Sequence, residues 1–107
     1  MNGGGAPNYM DITILYEDAD VVVIDKPVGL AVHGDGRSAR PTVADWHSAR
    51  IPAVCVVGEP MMLPSGEVLP RPGVVHRLDT ETSGVLVLAK NEEAFVHLKR
   101  QFHDRLA

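Results

Sequence analysis

With one cysteine, Cys55, in 107 residues, the chain can form no internal disulfide and suits a reducing compartment. Its setting in AVCVV reads as a small apolar filler. Long hydrophobic runs are missing as well, and none approaches the roughly 20 apolar residues of a membrane-spanning helix. The opening MNGGGAPNYM lacks the basic start and apolar centre of a secretion signal. The chain is therefore expected to be cytoplasmic, with no membrane partner. Basic residues are outnumbered, ten Lys and Arg against fourteen Asp and Glu, and the formal charge of −4 excludes a generally cationic polymer-binding surface. Local clusters remain, in Arg71, Arg77 and Lys90 and again in Lys99, Arg100 and Arg105. The five histidines include no pair at metal-ligand spacing, and no metal is expected. The glycine-rich HGDGR has neither the lysine nor the helix-start spacing of a nucleotide phosphate loop.

What is present is enough for one domain. Hydrophobic residues make up 45% of the chain, which supports a core rather than disorder. Residues 1–11 read as a flexible tail and 12–107 as the folded part. The β-branched run 12–16, the turn EDAD and the run 21–25 predict two strands in a hairpin, the second ended by Lys26-Pro27. Thr42 reads as the N-cap of a helix to about residue 50, with Val43 and Trp46 on its buried face and Pro52 ending it. Trp46 at that spacing is a core residue before it is a base-stacking one. Residues 53–73, rich in proline, predict an irregular connection with short β excursions at VCVV and EVL. Residues 85–89 predict another strand. Asn91 reads as the N-cap of a second helix, whose Glu92 and Glu93 complement its dipole and whose Phe95, Leu98, Phe102 and Leu106 form an apolar stripe.

The functional groups concentrate in VVHRLDTETSGVLVLAK, residues 74–90. Between two apolar runs this stretch presents His76, Arg77, Asp79, Thr80, Glu81, Thr82 and Ser83, closed by Gly84. A polar loop anchored at both ends by buried segments is a common seat of chemistry, although Asp, Thr, Ser and Gly are also ordinary turn formers. An aspartic protease needs a second, matching carboxylate, and no second D-T-G-like stretch exists. Asp79 and Glu81 would serve a glycosidase only if the loop splayed them across the scissile bond. Ser83 follows Thr82 and leads into a strand, unlike the G-x-S-x-G elbow of a serine hydrolase.

HRLDTETSGVLVLAK resembles the signature H-R-L-D-x-x-T-S-G-[LV]-[LIV]-x-x-A-K of the RluA/RluD-type pseudouridine synthases at every fixed position. DKPVGLAVHG, residues 25–34, is similar to the second landmark of that family, D-K-P-x-G-[LIV]-x-[VT]-H-P, with Gly34 in place of the usual proline. RPGVV before His76 fits too. Three landmarks in the right order extend the resemblance over nearly the whole chain from about residue 14.

The resemblance implies an α+β fold, with three or four strands in a mixed or largely antiparallel sheet and two helices, as the first half of the synthase catalytic domain. It implies isomerisation of uridine to pseudouridine in structured RNA, ribosomal or transfer, without cofactor or metal. Asp79 aligns with the catalytic aspartate, which attacks the target uridine at the ribose or the pyrimidine, so that the base detaches, turns and reattaches through carbon. A carboxylate with a reference pKa near 3.9 needs no partner base to serve as nucleophile. Arg77 aligns with the arginine that fills the stack vacated by the flipped nucleotide, offsetting part of the few kcal/mol that flipping costs. His33 and Arg37, beside the cleft in relatives, are expected RNA contacts, and His76, Thr82, Ser83 and Gly84 loop scaffolding. The base-stacking tyrosine and a basic partner for the aspartate come later in relatives than residue 107. The chain is accordingly expected to be an incomplete copy, inactive alone and prone to self-association through a bare sheet edge and part of the Phe95, Leu98, Phe102 stripe. The competing expectation is a truncated or degenerate RNA-binding protein without catalysis.

Overall fold

Alternation of apolar residues organises the centre of the molecule. In the computed structural model, which describes residues 12–34, 41–76, 78 and 80–103, strand β1 spans Thr13–Glu17, β2 Val21–Lys26 and β5 Gly84–Ala89. They form one antiparallel sheet in the order β1-β2-β5. Because side chains alternate along a strand, the register that sets Val22 against Leu88 and Ile24 against Leu86 sends all four to one face, where none retains exposed surface. The β1–β2 turn is held by Asp18, whose Oδ1 accepts from the Asp20 and Val21 amides at 2.8 and 2.9 Å.

Helix α1, Val43–Arg50, packs on that face through Val43 and Trp46, joined by Leu30 and Val32. Its entry is closed by backbone and side chain together. The carbonyls of Ala31 and Val32 accept from the Val43 and Ala44 amides, while Thr42 Oγ1 accepts from the Asp45 amide and the Asp45 carboxylate accepts from the Thr42 amide. This box seats the 31–34 segment beside the helix start. Helix α2, Glu92–His103, begins at Asn91, whose Oδ1 accepts from the Ala94 amide at 2.8 Å. It packs through Phe95 on a second cluster with Ala89, Val54 and Val57. Phe95 is buried and Leu98 and Phe102 are half-buried; Leu106 lies outside the described residues.

The connection between the helices differs from expectation at one point. VCVV is not extended: Pro52–Val56 winds as a 3₁₀ helix, with i+3 bonds from Val54 to Ile51 and from Val57 to Val54. Proline at its first position fixes φ in the helical range, and among the described residues no strand pairs with it. Cys55 is consequently exposed rather than core filler. Strand β4, Val68–Leu69, falls at the expected EVL and pairs with β3, Met61–Met62.

Candidate functional site around residues 73 to 84

The signature loop runs into the edge strand β5, and His76, Leu78 and Thr80 within it are tied down. His76 stands beside β5, where its Nε2 accepts from the Val87 amide at 3.1 Å and so occupies the place of a neighbouring strand's carbonyl. Its ring stacks on Phe102, centroids 4.3 Å apart and planes 15° from parallel. Accepting at Nε2 leaves the proton of the neutral ring on Nδ1. Burial holds the His76 pKa below the ordinary imidazole value, in keeping with an acceptor that protonation would remove. The sequence reading of His76 as scaffolding agrees with this geometry.

Two residues on, Leu78 packs against the core cluster of β2 and β5. Beyond it, the Thr80 carbonyl accepts from the Gly29 amide at 2.7 Å and from Lys26 Nζ at 3.1 Å. Lys26 is fully buried, and its ammonium also donates to the carbonyls of Leu30 at 2.6 Å and Pro27 at 3.0 Å. An ammonium has three N–H donors, and all three are used on backbone. Burial pushes the Lys26 pKa down from its usual value. Lys26 therefore ties the DKPVG turn to the residue after Asp79. Gly29, at φ 91°, supplies the left-handed conformation that lets its amide reach the loop.

The RPG segment upstream is fixed with equal economy. Gly73 donates to the Val57 carbonyl at 3.0 Å and accepts from the Ala89 amide at 2.9 Å, and Val74 bridges Leu88. A Cβ at Gly73 would strike the Ala89 carbonyl and come within 2.9 Å of His47 Nε2. His47 is itself fully buried, and its Nε2–H donates to the Ala89 carbonyl at 2.8 Å. With that tautomer set, Nδ1 is buried without a partner, alone in this respect among the described side chains. Burial, ahead of the opposing pull of the Ala89 bond, lowers the His47 pKa.

Of the expected site residues, His33 is described. It is half-buried at the end of the DKPVGLAVHG stretch, donates from Nδ1 to the Gly34 carbonyl at 3.0 Å, and lines a cavity together with His76. The two landmarks thus meet in space. Asp79, Arg77 and Arg37 lie outside the described residues. Lys90 does not face the loop: it donates to Glu17 Oε2 at 2.9 Å and to the Asp18 carbonyl at 2.6 Å, and Arg50 pairs with the same Glu17. These bonds lower the Glu17 pKa. Among the described residues no group of three or more His, Cys, Asp or Glu side chains converges as a metal site would, and no helix is long and apolar enough to cross a membrane.

Lys26 and His47 escaped the sequence reading. The lysine was visible as a fixed letter of the D-K-P landmark, but its partner lies 54 residues away. For His47 the signal was its place one helical turn after Val43, on the face already read as buried.

Comparison with known proteins agrees with the landmarks. The family model of RNA pseudouridylate synthases matches residues 20–106. The chain is 39% identical over 99 residues to an RNA pseudouridine synthase of Aquifex aeolicus, covering 92% of this chain and 28% of that one. It is 35% identical over 99 residues to the ribosomal large subunit pseudouridine synthase D of Borreliella burgdorferi, with the same coverage. Among solved structures, human RNA pseudouridylate synthase domain containing 4 superposes with a TM-score of 0.60 at 32% identity, over 88% of this chain and 30% of that one. The chain thus spans under a third of the length of these relatives.

Proposed function

The chain belongs to the RNA pseudouridylate synthase family, and from that membership we propose that it carries the nucleophile-bearing part of a domain converting uridine to pseudouridine in structured RNA, ribosomal or transfer. The observation that supports this best is the convergence of Lys26 Nζ and the Gly29 amide on the Thr80 carbonyl, which makes the D-K-P and H-R-L-D landmarks one structural unit around position 79.

In this reading Asp79 is the nucleophile. Its carboxylate attacks and bonds to the uridine, the bond between ribose and base nitrogen breaks, a carbon of the turned base forms the new bond to the sugar, and the bond to the carboxylate breaks to free Asp79. That carbon loses a proton and the freed nitrogen gains one, so the reaction is an isomerisation and consumes nothing. The protein's task is to hold the carboxylate still while the base turns. The residues on either side of Asp79 do this, Leu78 through the core and Thr80 through Lys26 and Gly29. Arg77 fills the stack that the flipped uridine leaves. His33 and Arg37 are RNA contacts beside the cleft. Folded residues 12–107 are one part of the catalytic domain, in keeping with coverage of 28% of the bacterial relatives.

Asp79→Asn, placed in a chain completed to the relatives' length, tests the assignment. The amide keeps the shape and removes the charge. RNA affinity and fold are expected to persist while pseudouridine formation is lost; isomerisation at an appreciable fraction of the parent rate would refute the role.

A further inference from the structure

A cleft lined in part by His33 and His76 is the other chemically distinctive feature of the described surface. It encloses about 120 Å³. That is well below the roughly 300–1,000 Å³ that encloses a drug-sized molecule, so it has room for a chemical group and not for a nucleoside. It is lined by Val74, Val75 and Phe95 together with Arg71, Lys99 and the imidazoles of His33 and His76. Glu59 is the single carboxylate in the lining. It pairs with Lys99, and its carbonyl accepts from Arg71 Nε at 3.2 Å. Lys99 also lies 5.6 Å over the Phe95 ring, which fixes its direction along α2. Two cations against one anion make a net positive cleft on a chain whose formal charge is −4.

We propose that this cleft takes a backbone phosphate of the RNA, one next to the nucleotide presented to the signature loop. The assignment rests on the reading of the chain as part of an RNA uridine isomerase and goes beyond it by naming Arg71 and Lys99 as the contacts. Arginine matches phosphate oxygens with its planar fork, and only one of its roughly five N–H donors is engaged by Glu59. His76 is shared between this cleft and the loop that bears Arg77 and Asp79, so a phosphate held here fixes the strand where the target must be presented. An acidic chain repels nucleic acid at long range, and a few placed cations must supply the attraction. Glu59 is then a counter-charge that keeps Lys99 in place and that a phosphate displaces.

The test is the salt dependence of binding between the 107-residue chain and a fluorescein-labelled single-stranded oligouridylate, read by anisotropy. Each phosphate contact contributes about 0.7 to the slope of log K against log salt for a single strand. Arg71→Gln and Lys99→Gln are each expected to lower the slope by about that much, whereas Glu59→Gln is expected to tighten binding, roughly twofold to fivefold. Opposite signs at neighbouring positions separate a phosphate contact from loss of fold, which moves all three the same way. Inorganic phosphate at matched ionic strength is expected to compete better than chloride. Unchanged slopes in both glutamine variants, weaker binding by Glu59→Gln, no measurable binding by the parent at low salt, or competition by phosphate no better than by chloride would each overturn the proposal. Asp79→Asn should leave the slope untouched, so failure here is distinct from failure of the nucleophile assignment.

Discussion

At the scale of single residues, Lys26 and His47 act on backbone 54 and 42 residues away, a reach that no local sequence pattern reports. Lys26→Met keeps the stem and removes the ammonium, leaving the Pro27, Leu30 and Thr80 carbonyls without that donor. We expect a loss of about 2–4 kcal/mol in urea denaturation, with the loop at residues 76–84 losing amide-exchange protection first. A loss under about 1 kcal/mol would mean that the carbonyls find other partners. His47 makes a pH prediction. Its folded pKa lies below the unfolded value of 6.5, so the unfolded chain binds the proton first and stability falls as pH drops below 6.5 toward the folded value. His76 adds in the same direction. Thermal unfolding at pH 7 and pH 5.5 should show a smaller drop for His47→Gln than for the parent; equal drops would place the acid sensitivity elsewhere.

At the scale of elements, the helices were legible because their starts are chemical. Thr42 and Asn91 are side chains that accept from the amide three residues on, and both do so. Thr42→Ala removes the Oγ1 that accepts from the Asp45 amide while keeping the residue 42 amide that donates to the Asp45 carboxylate, and it should cost about 1 kcal/mol by chemical denaturation. Asn91 is further engaged with Asp20 across the β1–β2 turn, which joins the second helix to the sheet. The hairpin of β1 and β2 and strand β5 followed from alternation, since one face is dry. The segment at Pro52–Val56 misled for a physical reason. Valine's strand preference expresses packing on a pleated surface, and here proline starts a tight turn while no neighbouring strand offers that surface. Gly73 likewise looks like a turn residue in sequence, while in the fold its missing side chain is what lets β5 and His47 close over it.

At the scale of the whole molecule, the sheet ends on one side in β1, whose Ile14, Leu15 and Tyr16 are all substantially exposed. Val85 on β5 is exposed too, whereas Val87 and Ala89 on that strand have their amides engaged by His76 and Gly73. Self-association of the 107-residue chain is predicted to run through β1, the edge strand that carries these exposed apolar residues. Leu15→Lys should shift sedimentation toward monomer, because a charge on an edge strand opposes strand pairing; an unchanged distribution would move the contact elsewhere. The central claim is that the landmarks meet to hold Asp79 as a nucleophile for uridine. Its most direct measurement is single-turnover pseudouridine formation on unmodified ribosomal RNA by the length-completed parent, Asp79→Asn and Lys26→Met, each first shown to be folded at the assay temperature. The account predicts that Asp79→Asn falls below detection while Lys26→Met is slowed but still forms product. Pseudouridine from Asp79→Asn within about a hundredfold of the parent rate, a barrier change under about 3 kcal/mol, would contradict it.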